Sequence, residues 1–188
     1  MQDYGHLVGR DALLDEIVAH LRTGRSVLLF GPAGVGKTAL VDAAARACPD
    51  AVVLDPFEHV GAAEAGRARL ALDRGAILLA AARTRQRRGI GRVGRVLWRL
   101  RTVRVTPLVE RDLRLLLERR LQDAQADSLT LPPGWLHEAA AACDGLPGRA
   151  ALLADEAMRR WRADGRWTPP AFALAMARAE AWPPRPPD

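Results

Sequence analysis

The sequence predicts an α/β fold: a parallel sheet of about four strands followed by a C-terminal helical domain. Three observations carry this expectation. Up to Pro107, short apolar runs alternate with stretches of helical periodicity, the pattern of parallel strands joined by helical crossovers. Beyond Glu110 only helical periodicity remains. The first apolar run, Ser26 to Phe30, leads through Gly31-Pro32-Ala33-Gly34-Val35-Gly36-Lys37-Thr38 into an alanine-rich helical run, Ala39 to Ala47. That loop fits G-x-x-x-x-G-K-[ST] in its proper strand, loop and helix setting.

Taken in order, Leu13, Leu14, Ile17, Val18 and Leu21 form one face of an amphipathic helix within residues 5–23, with Asp11 as its N-cap and Gly24 as its stop. The strand 26–30, the glycine loop and a helix over 37–47 follow. Cys48-Pro49-Asp50 makes a turn before the strand 51–55, Ala-Val-Val-Leu-Asp. A helix over 62–74 leads to the strand 76–82, which ends in Arg83-Thr84. Val96, Leu97, Trp98 and Leu100 suggest a short helix, and 102–106 reads as a fourth strand closed by Pro107. Helices are then expected over 110–126, 133–143 (with Pro133 near its start), 147–162 and 169–180. The proline-rich tail 182–188 cannot continue a helix. The expected domains are 1–107, 108–181 and the tail 182–188.

Composition narrows the function classes. The chain has 188 residues, 49% of them hydrophobic, so a sizeable core is available. No apolar run approaches membrane-spanning length and Met1 to His6 lacks a secretory pattern, so no membrane partner and a cytoplasmic location are expected. Cys48 and Cys143 stand far apart without metal-ligand spacing and read as reduced thiols. A net charge of +6 and a pI of about 10.7 suggest a polyanionic partner. Lys37 is the sole lysine, however, so the arginine excess also fits a GC-biased genome.

The glycine loop carries the chemistry. Its glycines allow backbone angles that aim successive N–H groups at phosphate oxygens, and the following helix adds the positive end of its dipole. On this reading Gly31 to Thr38 and Ala39 hold a nucleoside triphosphate. Lys37 reaches the β- and γ-phosphates, and the Thr38 hydroxyl holds Mg²⁺. Asp55 ends a strand at the sheet edge where the loop lies, and is the candidate acid for ordering Mg²⁺; an Asp capping the next turn is the alternative.

Val8-Gly9-Arg10, Gly31 to Thr38, Val52 to Val60, Ile77 to Arg83 and Gly145-Leu146-Pro147 together resemble an AAA+ ATPase, with the STAND-type switches and the origin-recognition and transposition ATPases as nearest branches. The resemblance implies a core sheet carrying a helical lid, with assembly or switching driven by ATP. It places Val8 and Arg10 near the base, though a solvated Arg10 reads equally well. Only 18 positions separate Lys37 from Asp55, too few for the family's usual extra strand and helix. If Asp55 is the Walker B acid, the resemblance then implies four strands in the order 5-1-4-3 in family labels; if 51–55 is instead the family's second strand, no such acid exists. Arg83 and Thr84 fall where the family carries its sensor 1 residue, Arg149 near its sensor 2, and Arg99 and Arg101 where an arginine finger can lie.

Pro56 follows Asp55 where hydrolytic relatives resemble Asp-Glu. Proline can neither accept a proton nor align water. Glu58 is the nearest substitute, with a solvated helix-start glutamate as the alternative, and slow hydrolysis is expected. The stretch 83–104 holds nine arginines and no acid. Arg85, Arg87, Arg88, Arg92 and Arg95 are its candidates for contacting a nucleic-acid backbone; an exposed arginine-rich face is the plainer reading. Trp135, Trp161 and Trp167 are expected to fill core or partner grooves. The partner is then DNA, or else a protein bound by a switch-like chain or a homo-oligomer.

Overall fold

The computed structural model describes residues 7–57, 60–83, 99–123 and 134–164. These form two units, one of residues 1–32 and 36–106, the other of residues 33–35 and 107–188. In the first unit the elements are α1 (Asp11–Arg22), β1 (Val27–Phe30), α2 (Lys37–Ala47), β2 (Val52–Leu54), α3 (Ala62–Asp73), β3 (Leu78–Ala82) and β4 (Arg101–Arg104). In the second they are α4 (Glu110–Asp123), α5 (Trp135–Ala142) and α6 (Pro147–Asp164).

The four strands make one parallel sheet in the order β2-β3-β1-β4, which matches the expected strand order. The two inner strands are buried along almost their whole length, and β3 consists only of Leu78, Leu79 and three alanines. A strand covered on both faces needs such a continuous apolar run. The edge strands β2 and β4 are half exposed. On one face, Leu28, Leu78, Ala80 and Ala82 pack with Leu54, Phe57, Leu100 and Ala68 of α3. Strand alternation leaves Val27, Leu29, Leu79 and Ala81 for the other face. There α1 buries Leu14, Ile17, Val18 and Leu21, and α2 buries Leu40, Val41, Ala43 and Ala44.

Boundaries differ from expectation where tertiary pairing decides them. The last strand is 101–104, starting one residue earlier and ending two residues earlier than 102–106, because it pairs with the four residues of β1, with Val27 opposite Arg101 and Phe30 opposite Arg104. Asp11 begins α1 instead of capping it; the N-cap is Arg10 and makes no side-chain capping bond. Its guanidinium, in a residue only 7% exposed, turns to the Thr106 carbonyl at 2.6 Å. The expected short helix near residues 96–100 falls mostly outside the described residues, as do the helix over 169–180, the tail, Pro133 and Trp167. Among the described residues no helix is long and apolar enough to cross a membrane.

In the second unit Leu113, Leu116, Leu117 and Leu121 of α4 are buried, with Trp135, Ala139 and Ala140 of α5 and Ala150, Leu153, Ala154, Ala157 and Met158 of α6. Trp135 is thus a core residue. The entry to α6 is tightly made: the Leu108 N–H donates to the Gly145 carbonyl at 2.8 Å. Gly145 has φ +74°, and a Cβ there would lie 2.5 Å from the Pro107 Cβ and 2.8 Å from the Leu108 carbonyl oxygen. Gly145→Ala therefore combines left-handed strain with a backbone clash. It should cost about 2–4 kcal/mol in urea denaturation, whereas Gly75→Ala, at φ +86° but with nothing within 4 Å, should cost about 1 kcal/mol.

Both cysteines are free, and Cys143 is buried. Burial pushes its thiol from an ordinary value near 9 to about 11, with Arg149 lowering it and Asp144 raising it by smaller amounts. Between those values the folded thiol keeps a proton that the unfolded one has lost, so its contribution to stability is intact below about pH 9 and lost as pH rises towards 11. Thiol alkylation of the native chain at pH 8 should label Cys48 and leave Cys143 unmodified until denaturant is added, as peptide mapping would show.

Candidate nucleotide site

The loop between β1 and α2 is built by its glycines. Gly34 has φ 76° and Gly36 has φ 94°, both in the left-handed region that side chains disfavour. Val35, between these two residues, is wholly buried. Gly36 is the N-cap of α2, so the helix opens directly from the loop at Lys37. The Lys37 ammonium bends back over the loop and donates to the Gly31 and Pro32 carbonyls, each at 2.8 Å. Thr38 and Ala39 are exposed in the first turn of α2, where unpaired helix N–H groups and the dipole favour an anion.

The sheet holds the loop from below. Gly31 donates its N–H to the Ala82 carbonyl at 3.3 Å, and Val105 donates to the Phe30 carbonyl at 2.8 Å. The first bond sets Arg83, an exposed residue at the end of β3, beside the start of the loop. The expected strand 51–55 is observed only as Val52–Leu54, so Asp55 follows β2, at the same edge but two strands from β1, a lateral offset of about 10 Å. The chain beyond it is pinned by Phe57, only 1% exposed in the sheet's core cluster. The Asp55–Pro56 peptide is cis. Val8 and Arg10 are buried at the start of α1.

Within the second unit, the Gly148 N–H in the first turn of α6 donates to the Gly34 carbonyl at 2.8 Å. A trans peptide holds a carbonyl and the next N–H on opposite sides, so this bond also orients the Val35 N–H. Nothing in the sequence points to Gly148. Arg149, the next residue, engages Asp144 in an ion pair. Glu58, Thr84, Arg85, Arg87, Arg88, Arg92 and Arg95 lie outside the described residues. Among the described residues no three His, Cys, Asp or Glu side chains group as a metal site. A Mg²⁺ ion bound through one hydroxyl, one carboxylate and phosphate oxygens needs no such group.

A left-handed glycine loop opening a helix at the C-terminal edge of a parallel sheet defines a P-loop α/β fold. The chain belongs to the AAA ATPase domain family, whose model matches residues 6–161. Among solved structures it is similar to domain III of the Thermotoga maritima replication initiation protein DnaA, at 13% identity and TM-score 0.69, over 97% of this chain and 99% of that one. It is also similar to the Thermotoga maritima RuvB Holliday junction branch migration motor, at 13% identity and TM-score 0.65, over 92% of this chain and 72% of that one. A substituted form of that RuvB gives 15% and 0.66, over 91% and 70%. No curated protein matches the sequence.

Arg10 ties the start of α1 to the carbonyl that follows β4. Arg10→Met should strand that acceptor and lower stability by about 1–3 kcal/mol, read from the urea midpoint.

Proposed function

We propose that this chain binds ATP with Mg²⁺, hydrolyses it slowly and couples its nucleotide state to the binding of DNA. The observation that carries the proposal is the phosphate loop itself: left-handed Gly34 and Gly36, Lys37 folded over the loop mouth and Thr38 exposed at the start of α2. Residues Gly31 to Ala39 would cradle the phosphates, with Lys37 exchanging its loop carbonyls for phosphate oxygens. Thr38 and Asp55 would hold Mg²⁺, which supplies positive charge against the β- and γ-phosphates. Arg83 and Arg149 would sense the γ-phosphate, and Val8 and Arg10 would border the base.

Slow turnover follows from Pro56, which has no group to accept a proton from the attacking water. Glu58 is the substitute for that role. The core would comprise residues 1–107, the helical lid 108–181 and the tail 182–188. DNA binding is supported by the nine arginines of residues 83–104 and by the similar structures, a Holliday junction branch migration motor and a replication initiation protein. Pro56 also favours a second reading, a switch that binds ATP with little hydrolysis and acts on a protein.

Lys37→Ala should weaken binding of a fluorescent ATP analogue by about a hundredfold, since charge-assisted hydrogen bonds to the phosphates are lost. Binding equal to that of the original chain would end the ATP reading. Glu58→Gln should slow phosphate release at least about tenfold; undiminished turnover removes Glu58 from the mechanism. Retention of duplex DNA should weaken steeply with salt and respond to ATP. Absence of retention at low salt leaves the protein-directed switch.

A further inference from the structure

The sheet has a second edge, at the N-terminal ends of its strands. Opposite the phosphate loop, the segments that enter β1, β3 and β4 enclose an open cavity of about 350 Å³. The four residues of β1 separate it from the loop, a distance of about 13 Å. Gly24, Arg25 and Ser26 line it from the β1 side, Gly75 from the β3 side, and Arg99 and Arg101 from the β4 side. Gly24 and Gly75 both have positive φ, and nothing lies within 4 Å of where their Cβ atoms would stand, so these turns leave the hollow room.

Its charged lining residues are all arginines. Arg99 is held by Asp73 at 2.6 Å, which fixes the direction of its guanidinium. Among the described residues the Arg25 and Arg101 side chains have no hydrogen-bond or ion-pair partner. Three of the local backbone donors are already used: the Arg25 N–H bonds the His20 carbonyl, the Gly75 N–H that of Leu72, and the Arg101 N–H that of Ser26. Recognition here falls to the guanidinium groups, whose planar forks match phosphate oxygens. The volume exceeds what one phosphate needs and suits a phosphate with its ester substituent or its neighbours in a chain.

We propose that this cavity is a second phosphate site, taking linked phosphate groups from a nucleic-acid backbone or a free polyphosphate. It is independent of ATP binding at the loop. It also differs from a finger that reaches into a neighbouring subunit, because Arg25, Arg99 and Arg101 surround a hollow on one copy of the chain.

The test uses the full chain carrying Lys37→Ala, so that the loop does not capture the probes. Inorganic tripolyphosphate and a single-stranded oligonucleotide of about 20 bases are titrated at low salt. Adding Arg25→Gln and Arg101→Gln should weaken binding about tenfold or more. Adding Arg46→Gln and Arg114→Gln, two exposed arginines elsewhere, should change it less than about threefold. Loss confined to the oligonucleotide identifies nucleic acid as the source, loss confined to tripolyphosphate identifies the free anion, and loss of both supports the shared chemistry. No binding of either probe, unchanged binding in the Arg25/Arg101 variant, or an equal loss in the control pair would overturn the site. The Arg25/Arg101 pair placed in the otherwise unaltered chain should leave ATP-analogue affinity as it was, which separates this outcome from failure at the loop and from misfolding.

Discussion

Everything distinctive about this chain depends on how β1 is clamped in the sheet. At its N-terminal end the Ser26 carbonyl accepts from Arg101, and the Ser26 hydroxyl accepts from the Leu78 N–H at 2.9 Å. At its C-terminal end Phe30 accepts from Val105 while Gly31 donates to Ala82. A four-residue strand is thus held on both sides at both ends. In the apolar interior each of these backbone groups would be costly to leave unpaired. The clamp sets where the phosphate loop begins, and at the other edge it sets where Arg25 and Arg101 stand.

The loop adds its own constraint. Left-handed angles at Gly34 and Gly36 are tolerable because neither residue carries a Cβ, and the buried Val35 between them anchors the turn. Lys37 then ties back to the first two loop carbonyls. These two bonds hold the ammonium over the mouth of the loop. The Gly34 carbonyl belongs to a different set of contacts, bonding to Gly148 in the first turn of α6.

The helical unit depends on one residue that needs to be glycine. Gly145 takes a left-handed angle and lies against Pro107 and Leu108, so the chain leaving β4 and the chain entering α6 meet where only a hydrogen atom fits. Around that point α4, α5 and α6 share an aliphatic core built on leucines, alanines and Trp135. The exposed ion pairs of this unit, such as Arg120 with Asp155 at 3.5 Å, add little by comparison.

Much of this was legible in the sequence, for a local reason. Apolar runs of strand length, helical periodicity and the glycine-Lys-Thr pattern are short-range signals, and they were enough for the four-stranded parallel sheet, the switch to helices near Pro107 and the phosphate loop. The strand order followed from a resemblance. What lay beyond reach was set by partners distant in sequence. Arg10 read equally well as a residue near the base or as a solvated helix start, and its side chain is in fact buried on the Thr106 carbonyl. The last strand starts at Arg101 because the register pairs that residue with Val27, the first of β1. The Gly148 bond and the cavity between Arg25, Arg99 and Arg101 join residues that no periodicity relates. Local chemistry determined the elements and the loop; hydrogen bonds and charges brought together by the folded sheet decided register, burial and the second basic edge.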